Sequence, residues 1–188
     1  MNEFILISTS LQFYFVSTFF SNFFLFLSSG LGSCLALTGR LEESLVVLDQ
    51  LRSYRPRDVD GLSRRADVLK AMSRKEDARE MHEEILSYGH DTVLLRTHLG
   101  DYAFEDKSYT TAFKEYSIAL NMSKLIKMKN PDDFSHYVTV MHRIGKCYKE
   151  FGESLKSVKY LEKALLMSPS GKEIMMDLAA VLMERGRV

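Results

Sequence analysis

Five histidines, two cysteines and 25 carboxylates are the groups in this 188-residue chain that could do chemistry, and their spacing decides what they can do. His82-Glu83-Glu84-Ile85-Leu86 begins like a zinc-protease helix, in which two imidazoles four residues apart hold the metal and the glutamate acts as base. The position of the second imidazole is Leu86, so the ligand pair is incomplete. Gly30-Leu31-Gly32-Ser33-Cys34-Leu35 begins like a dinucleotide-binding loop, but its third glycine is Leu35 and no strand pattern precedes it. A phosphate-cradling Gly-Lys-Ser loop is absent. His136 and His142 stand six apart, off one helical face. Cys147 follows Lys146, a cation that would favour the thiolate; its position on a helix is more often that of a core or groove-wall residue, which is the expectation here. No catalytic, cofactor or metal set emerges, and the expectation is a protein that is not an enzyme.

The totals narrow the class further. Hydrophobic residues make up 46% and charged residues 27%, a balance that suits a packed domain. Three prolines and ten glycines are too few for a loop-rich β-sandwich, and Leu, Lys, Glu, Met and Ala dominate after the first forty residues. Lys and Arg total 25, matching the acids, so the clustered positive charge that drives nucleic-acid binding is not expected. Two cysteines make no disulfide framework and fit a reducing compartment.

The elements that would carry these residues repeat. Gly32, Ala66 and Gly100 are spaced by 34, and all are small residues midway along a helical pattern. Twelve residues after each comes Ser44, Ala78 or Ala112; sixteen after comes Leu48, His82 or Tyr116; nineteen after comes Leu51, Ile85 or Ala119. The template fits again at Gly145, giving Ser157, Leu161 and Ala164, and one more step of 34 reaches Ala179. Small residues at fixed spacing are what two closely crossing helices need, because a large side chain there forces the axes apart. Ala112, Tyr116, Ala119 and Leu120 form one helical stripe, and a single hairpin of this size must stack on neighbours to bury such a stripe.

On these residues the chain resembles the tetratricopeptide repeat family, whose unit is two antiparallel helices in 34 residues. Leu31-Gly32, Leu99-Gly100 and Ile144-Gly145 match its Leu-Gly pair; Ala78 and Ala112 match its helix-crossing alanine. Ala119 and Ala164 match its later alanine, and Pro56 and Pro169 its terminal proline. Gly39, Gly152 and Gly186 fall at the turn between paired helices, where a positive φ favours glycine. The family's large aromatic in the first helix is replaced by Ser28, Leu62, Arg96, Met141 and Met175, and its proline by His90 and Lys124 in two copies. The expected fold is an all-α superhelix, a solenoid of antiparallel helix pairs. The expected organisation is an apolar segment over 1–24, then repeats over 25–58, 59–92, 93–137 and 138–171, and a partial or capping helix over 172–188.

One interval breaks the period: Gly100 to Gly145 is 45 residues, eleven too many. Ser123 to Lys129 reads as a continued helix and Asn130-Pro131-Asp132-Asp133 as a stop and a new N-cap. The second helix of the third copy, the first helix of the fourth, or both, are expected to be long. This is either a simple insertion or an extended pair that reshapes a binding surface.

The resemblance implies a function, holding a protein or peptide partner in a groove lined by the first helices. By the family's groove slots, the second copy presents Asp60, Ser63, Asp67, Lys70 and Ala71. The third presents Leu94, Thr97, Asp101, Phe104 and Glu105, and the fourth Thr139, His142, Lys146, Lys149 and Glu150. The partner-binding residues expected are Asp67, Lys70, Thr97, Asp101, His142, Lys146 and Lys149, running from mildly acidic to clearly basic, the alternative being a solvated helix face. One subset of the family clamps the carboxylate tail of chaperones with lysines, asparagines and an arginine. The matching positions here are Ser63, Asp67, His98, Thr139 and Arg143, and only Arg143 fits, which excludes that device.

The start of the chain is different. No charged residue lies between Phe4 and Gly39, and residues 4–27 hold 16 apolar and 8 uncharged polar residues, long enough to cross a bilayer. Three readings compete: a signal-anchor helix, a cleaved signal peptide (with Glu3 in place of the usual basic start), and a degenerate repeat helix with Ser10, Tyr14 and Ser17 in its slots. If the segment spans, Arg40, Arg52, Arg55 and Arg57 place the repeats in the cytosol. The expectation is therefore a cytoplasmic or nuclear scaffold within a multiprotein complex, with a membrane-anchored adaptor or an arm of a larger protein as alternatives.

Overall fold

The computed structural model describes residues 27–125 and 131–186; among these the regular structure is nine helices and no strand. Helix α1 covers 27–37, followed by α2 (Leu41–Tyr54), α3 (Val59–Ala71), α4 (Lys75–Ser87), α5 (Val93–Glu105), α6 (Tyr109–Leu125), α7 (Pro131–Glu150), α8 (Ser154–Met167) and α9 (Lys172–Arg185). The chain divides into two compact units, the first ending at Tyr88 and the second beginning at Gly89.

Each pair of helices is joined by the same turn. Arg40 N–H donates to Leu35 O and Gly39 N–H to Ala36 O. The same two bonds recur as Arg74 to Leu69 with Ser73 to Lys70, as Ser108 to Ala103 with Lys107 to Phe104, and as Glu153 to Tyr148 with Gly152 to Lys149. These are paired closures that satisfy the last carbonyls of a helix and place one residue in the left-handed region. That residue is Gly39 (φ 79°), Ser73 (φ 61°), Lys107 (φ 60°) or Gly152 (φ 75°). The expectation for Gly186 is not met: its φ is −76°, right-handed, as the cap of α9. Helices α3 and α5 start on side-chain caps, Asp58 accepting from Gly61 N–H and Thr92 from Leu95 N–H, each at 3.2 Å.

The small residues do what their spacing requires. A Cβ on Gly32 would meet Leu48, one on Gly100 would meet Tyr116 and one on Gly145 would meet Leu161, in each case the side chain sixteen positions on. Ser44 and Ser157, twelve positions on, donate to the carbonyls of Gly32 and Gly145 at 2.6 and 2.8 Å. In the first unit Leu48, Leu51 and Val68 form a core cluster, with Leu62, Leu69 and Ala78 also buried. In the second unit one core runs from Val93 to Val181 and includes Ala112, Tyr116, Met141, Cys147 and Leu161. There α5 packs on α6, α6 on α7, α7 on α8 and α8 on α9, while the first helices α5, α7 and α9 touch in succession. The slots without the family's aromatic are filled by Leu62 and Met141 in the cores. Arg96 instead pairs with Asp91 and Glu115 at 2.8 Å.

The eleven-residue excess lengthens two consecutive helices of neighbouring pairs, the second of one and the first of the next. Helix α6 has 17 residues and α7 has 20, against 13 or 14 for α2 to α5, α8 and α9. Pro131 opens α7, where its missing N–H costs no helical bond, so the boundary drawn between 137 and 138 falls inside a helix. The expected stop at Asn130 and the continuation over 126–129 lie outside the described residues, as does the apolar run over 4–26. Among the described residues no helix is long and apolar enough to cross a membrane.

Candidate partner-binding face

The sequence-derived site residues divide between the units. In the first, Asp67 and Lys70 are exposed on α3. Asp67 lines a cleft of about 320 Å³ with Gly32, Ala36, Leu37, Arg64 and Ala71, and although the residue reaches solvent, partial desolvation by the cleft wall pushes its carboxyl up against the opposing pull of Lys70 and Arg64.

In the second unit α7 is tied to α5 on one side and to α9 on the other. Asp101 on α5 accepts from the Tyr116 hydroxyl at 2.7 Å and lies 2.9 Å from Arg143 Nε. Lys146 Nζ stands 5.3 Å from the centroid of the Phe104 ring. Toward α9, His142 Nε2 lies 2.6 Å from Asp177 Oδ2 and Lys149 Nζ 3.1 Å from Glu184 Oε1. Burial holds His142 below the ordinary imidazole range, with Asp177 opposing and Arg143 and Lys146 assisting. Thr97 is not presented: it is buried, and its hydroxyl donates to Val93 O at 2.7 Å. The basic character expected of the fourth copy is thus moderated, because α9 brings two acids to it.

The opening that remains is a cleft of about 530 Å³ between the first half of α7 and the start of α9. Its α7 wall holds Phe134, Val138, Thr139, His142 and Arg143, and its α9 wall Lys172, Glu173 and Ile174. Phe134 belongs to the extra turns of α7, so the irregular 45-residue interval was the available signal for it.

The chemically suggestive sequences have structural roles here. His82 is buried, Glu83 pairs with Arg79 at 3.0 Å, and Glu84 binds both Arg52 at 2.9 Å and the Tyr88 hydroxyl at 2.7 Å. Gly30 to Leu35 lies within α1, not in a loop. Cys147 is fully buried, and burial outweighs the neighbouring Lys146, pushing the thiol up to about 12. Among the described residues no three His, Cys, Asp or Glu side chains converge as a metal site.

No family model and no curated protein sequence matches the chain. Solved structures do. MamA (residues 41 to the end) from Desulfovibrio magneticus has a TM-score of 0.71 at 14% identity, over 86% of this chain and 85% of that one. PilF of Pseudomonas aeruginosa has 0.69 at 16%, over 87% and 69%. A tetratricopeptide repeat protein from Parabacteroides merdae has 0.65 at 15%, over 86% and 59%. The fold is therefore the tetratricopeptide-repeat fold, all-α and built from antiparallel helix pairs.

Proposed function

We propose that this chain is a non-catalytic adaptor that holds an extended segment of a protein partner against α5, α7 and α9 of its second unit, as a subunit of a larger assembly. The observation that carries this reading is the cleft between α7 and α9, where apolar side chains (Phe134, Val138, Ile174) adjoin cations (Arg143, Lys172). Lys146 adds a cation with no carboxylate partner among the described residues. An apolar floor with convergent polar groups suits a peptide segment that carries an acidic end.

The test is a photocrosslinking amino acid placed at Thr139 in the full chain, in cells, with the same group at Lys114 on α6 as control. A discrete adduct from position 139 that is absent from 114 and lost on Lys146→Glu supports the reading. Adducts equal at both positions, or unaffected by the charge reversal, overturn it.

The charge-free run from Phe4 to Gly39, followed by four arginines, favours a second form of the same adaptor, tethered to a membrane with its repeats in the cytosol. Carbonate extraction of membranes separates it from a cytoplasmic or nuclear scaffold: release into the wash rules out a spanning anchor.

A further inference from the structure

The extra turns of α6 and α7 build something besides length. Lys124 lies in the added turn of α6 and Tyr137 in the added turns of α7, and both line a second cleft, of about 440 Å³, closed by α8. This cleft is on the other side of α7 from the partner-binding face. Tyr137, Met141 and Tyr148 recur at i, i+4 and i+11, one helical stripe, whereas Thr139, His142 and Lys146 occupy another. From α8 come Lys156, Lys159 and Lys163, at i, i+3 and i+7 on one face, with Tyr160 between them. No carboxylate lines the cleft. Lys156 is held by Glu153 and sits 5.3 Å from the Tyr148 ring centroid. Lys124, Lys159 and Lys163 have no ion-pair partner among the described residues.

We propose that the α6–α7–α8 cleft is a second docking site, which takes an acidic protein segment carrying one apolar side chain. Charge complementarity sets the sign of the occupant, since three uncommitted ammonium groups surround one opening. The floor of Leu120 and Met141 asks for an apolar group between the carboxylates. Nucleic acid is disfavoured by the state of the rings. Tyr137 is buried, and Tyr148 is packed edge-on against Phe113 and Phe151 at 5.2 and 6.4 Å and tilted on Tyr160 at 5.4 Å, so these two rings serve as walls already packed by the protein, not as an open platform for successive bases.

The experiment is fluorescence anisotropy on the full chain with a labelled short peptide of glutamates and aspartates around a central leucine. Its probes for comparison are the same peptide with glycine for leucine, a lysine-for-acid counterpart, and single-stranded oligouridylate. Saturable binding of the acidic peptide is expected, weakened by salt and by loss of the leucine. It should weaken about tenfold in Lys159→Glu/Lys163→Glu and severalfold in Lys124→Glu, with helical circular dichroism unchanged. Lys114→Glu and Lys146→Glu should leave it intact, the latter separating this site from the α7–α9 face. No saturable binding, equal loss in Lys146→Glu, or displacement of the peptide by oligouridylate at lower concentration overturns the proposal.

Discussion

Gly100 lies directly beneath the ring of Tyr116: a β-carbon on Gly100 would stand 2.6 Å from Cδ1 and 2.9 Å from Cζ, and nearer still to Cε1. The ring cannot retreat, because Tyr116 is fully buried and its hydroxyl is bonded to Asp101 at 2.7 Å. Alanine at Gly100 gains about 1 kcal/mol of helix propensity but overpacks this crossing. The expected net loss is about 1–3 kcal/mol, read as a lower urea midpoint. Gly32 meets a looser contact, the Leu48 side chain with Cδ2 at 3.0 Å and Cγ at 3.1 Å, and that side chain has no hydrogen bond to hold it. Gly32→Ala should therefore stay within about 1 kcal/mol of the parent. Equal tolerance at the two glycines would refute the crossing argument.

Ser73 and Lys107 hold a conformation that glycine adopts freely. An L side chain in the left-handed region costs about 1–2 kcal/mol, of which glycine's greater unfolded-state freedom returns part. Ser73→Gly and Lys107→Gly are each expected to stabilise the chain by about 0.5–1 kcal/mol. Alanine at the same positions should be neutral, since it keeps the strain. Thermal melts of the four variants decide this, and stabilisation by alanine equal to that by glycine would point to some cause other than φ.

These two turns also mark where the sequence was readable and where it was not. Gly32, Gly100 and Gly145 could be found because a close helix crossing admits few residue types, so spacing alone exposes them. The turn residue is fixed by backbone closure, which Ser73 and Lys107 satisfy at some cost, so a search for glycine passes over them. The same search wrongly included Gly186. Its family slot points Thr97 outward, but its hydroxyl is satisfied by Val93 O of the preceding turn and the residue is buried. The ties between α7 and α9 depend on how the two helices are rotated against each other, which periodicity does not give. They carry a trace nonetheless: His142 to Asp177 and Lys149 to Glu184 are each 35 residues apart, neighbouring slots in successive first helices.

The first of those ties should make stability depend on pH. His142 is buried, and its pKa in the folded chain lies below the ordinary value because burial disfavours the charged ring. Asp177 opposes this, while Arg143 and Lys146 add to it. The unfolded chain then binds the proton more readily, so the contribution of neutral His142 is complete above about pH 6.5 and is lost as pH falls through that value toward the lower folded one. The melting temperature of the parent should fall more steeply between about pH 7 and pH 5 than that of His142→Gln, which has no imidazole to protonate. Parallel curves for the two proteins would contradict the assignment.

The two cysteines should differ in reactivity for a reason unrelated to nearby charge. Cys34 is exposed on α1, whereas Cys147 is fully buried beside Lys146. A thiol reacts as its thiolate, and adjacency to a lysine would by itself favour that form. Burial removes the water that would stabilise the anion, and that effect is larger at Cys147, whose pKa is pushed up to about 12. Reagent also has no path to the sulfur while α7 is packed in its core. A maleimide titration of the native chain should modify Cys34 alone, with Cys147 reacting only once denaturant opens the second unit. Modification of Cys147 in the native state at a rate like that of Cys34 would mean that α7 leaves its core easily, and would overturn both the inert thiol and the packing that explains it.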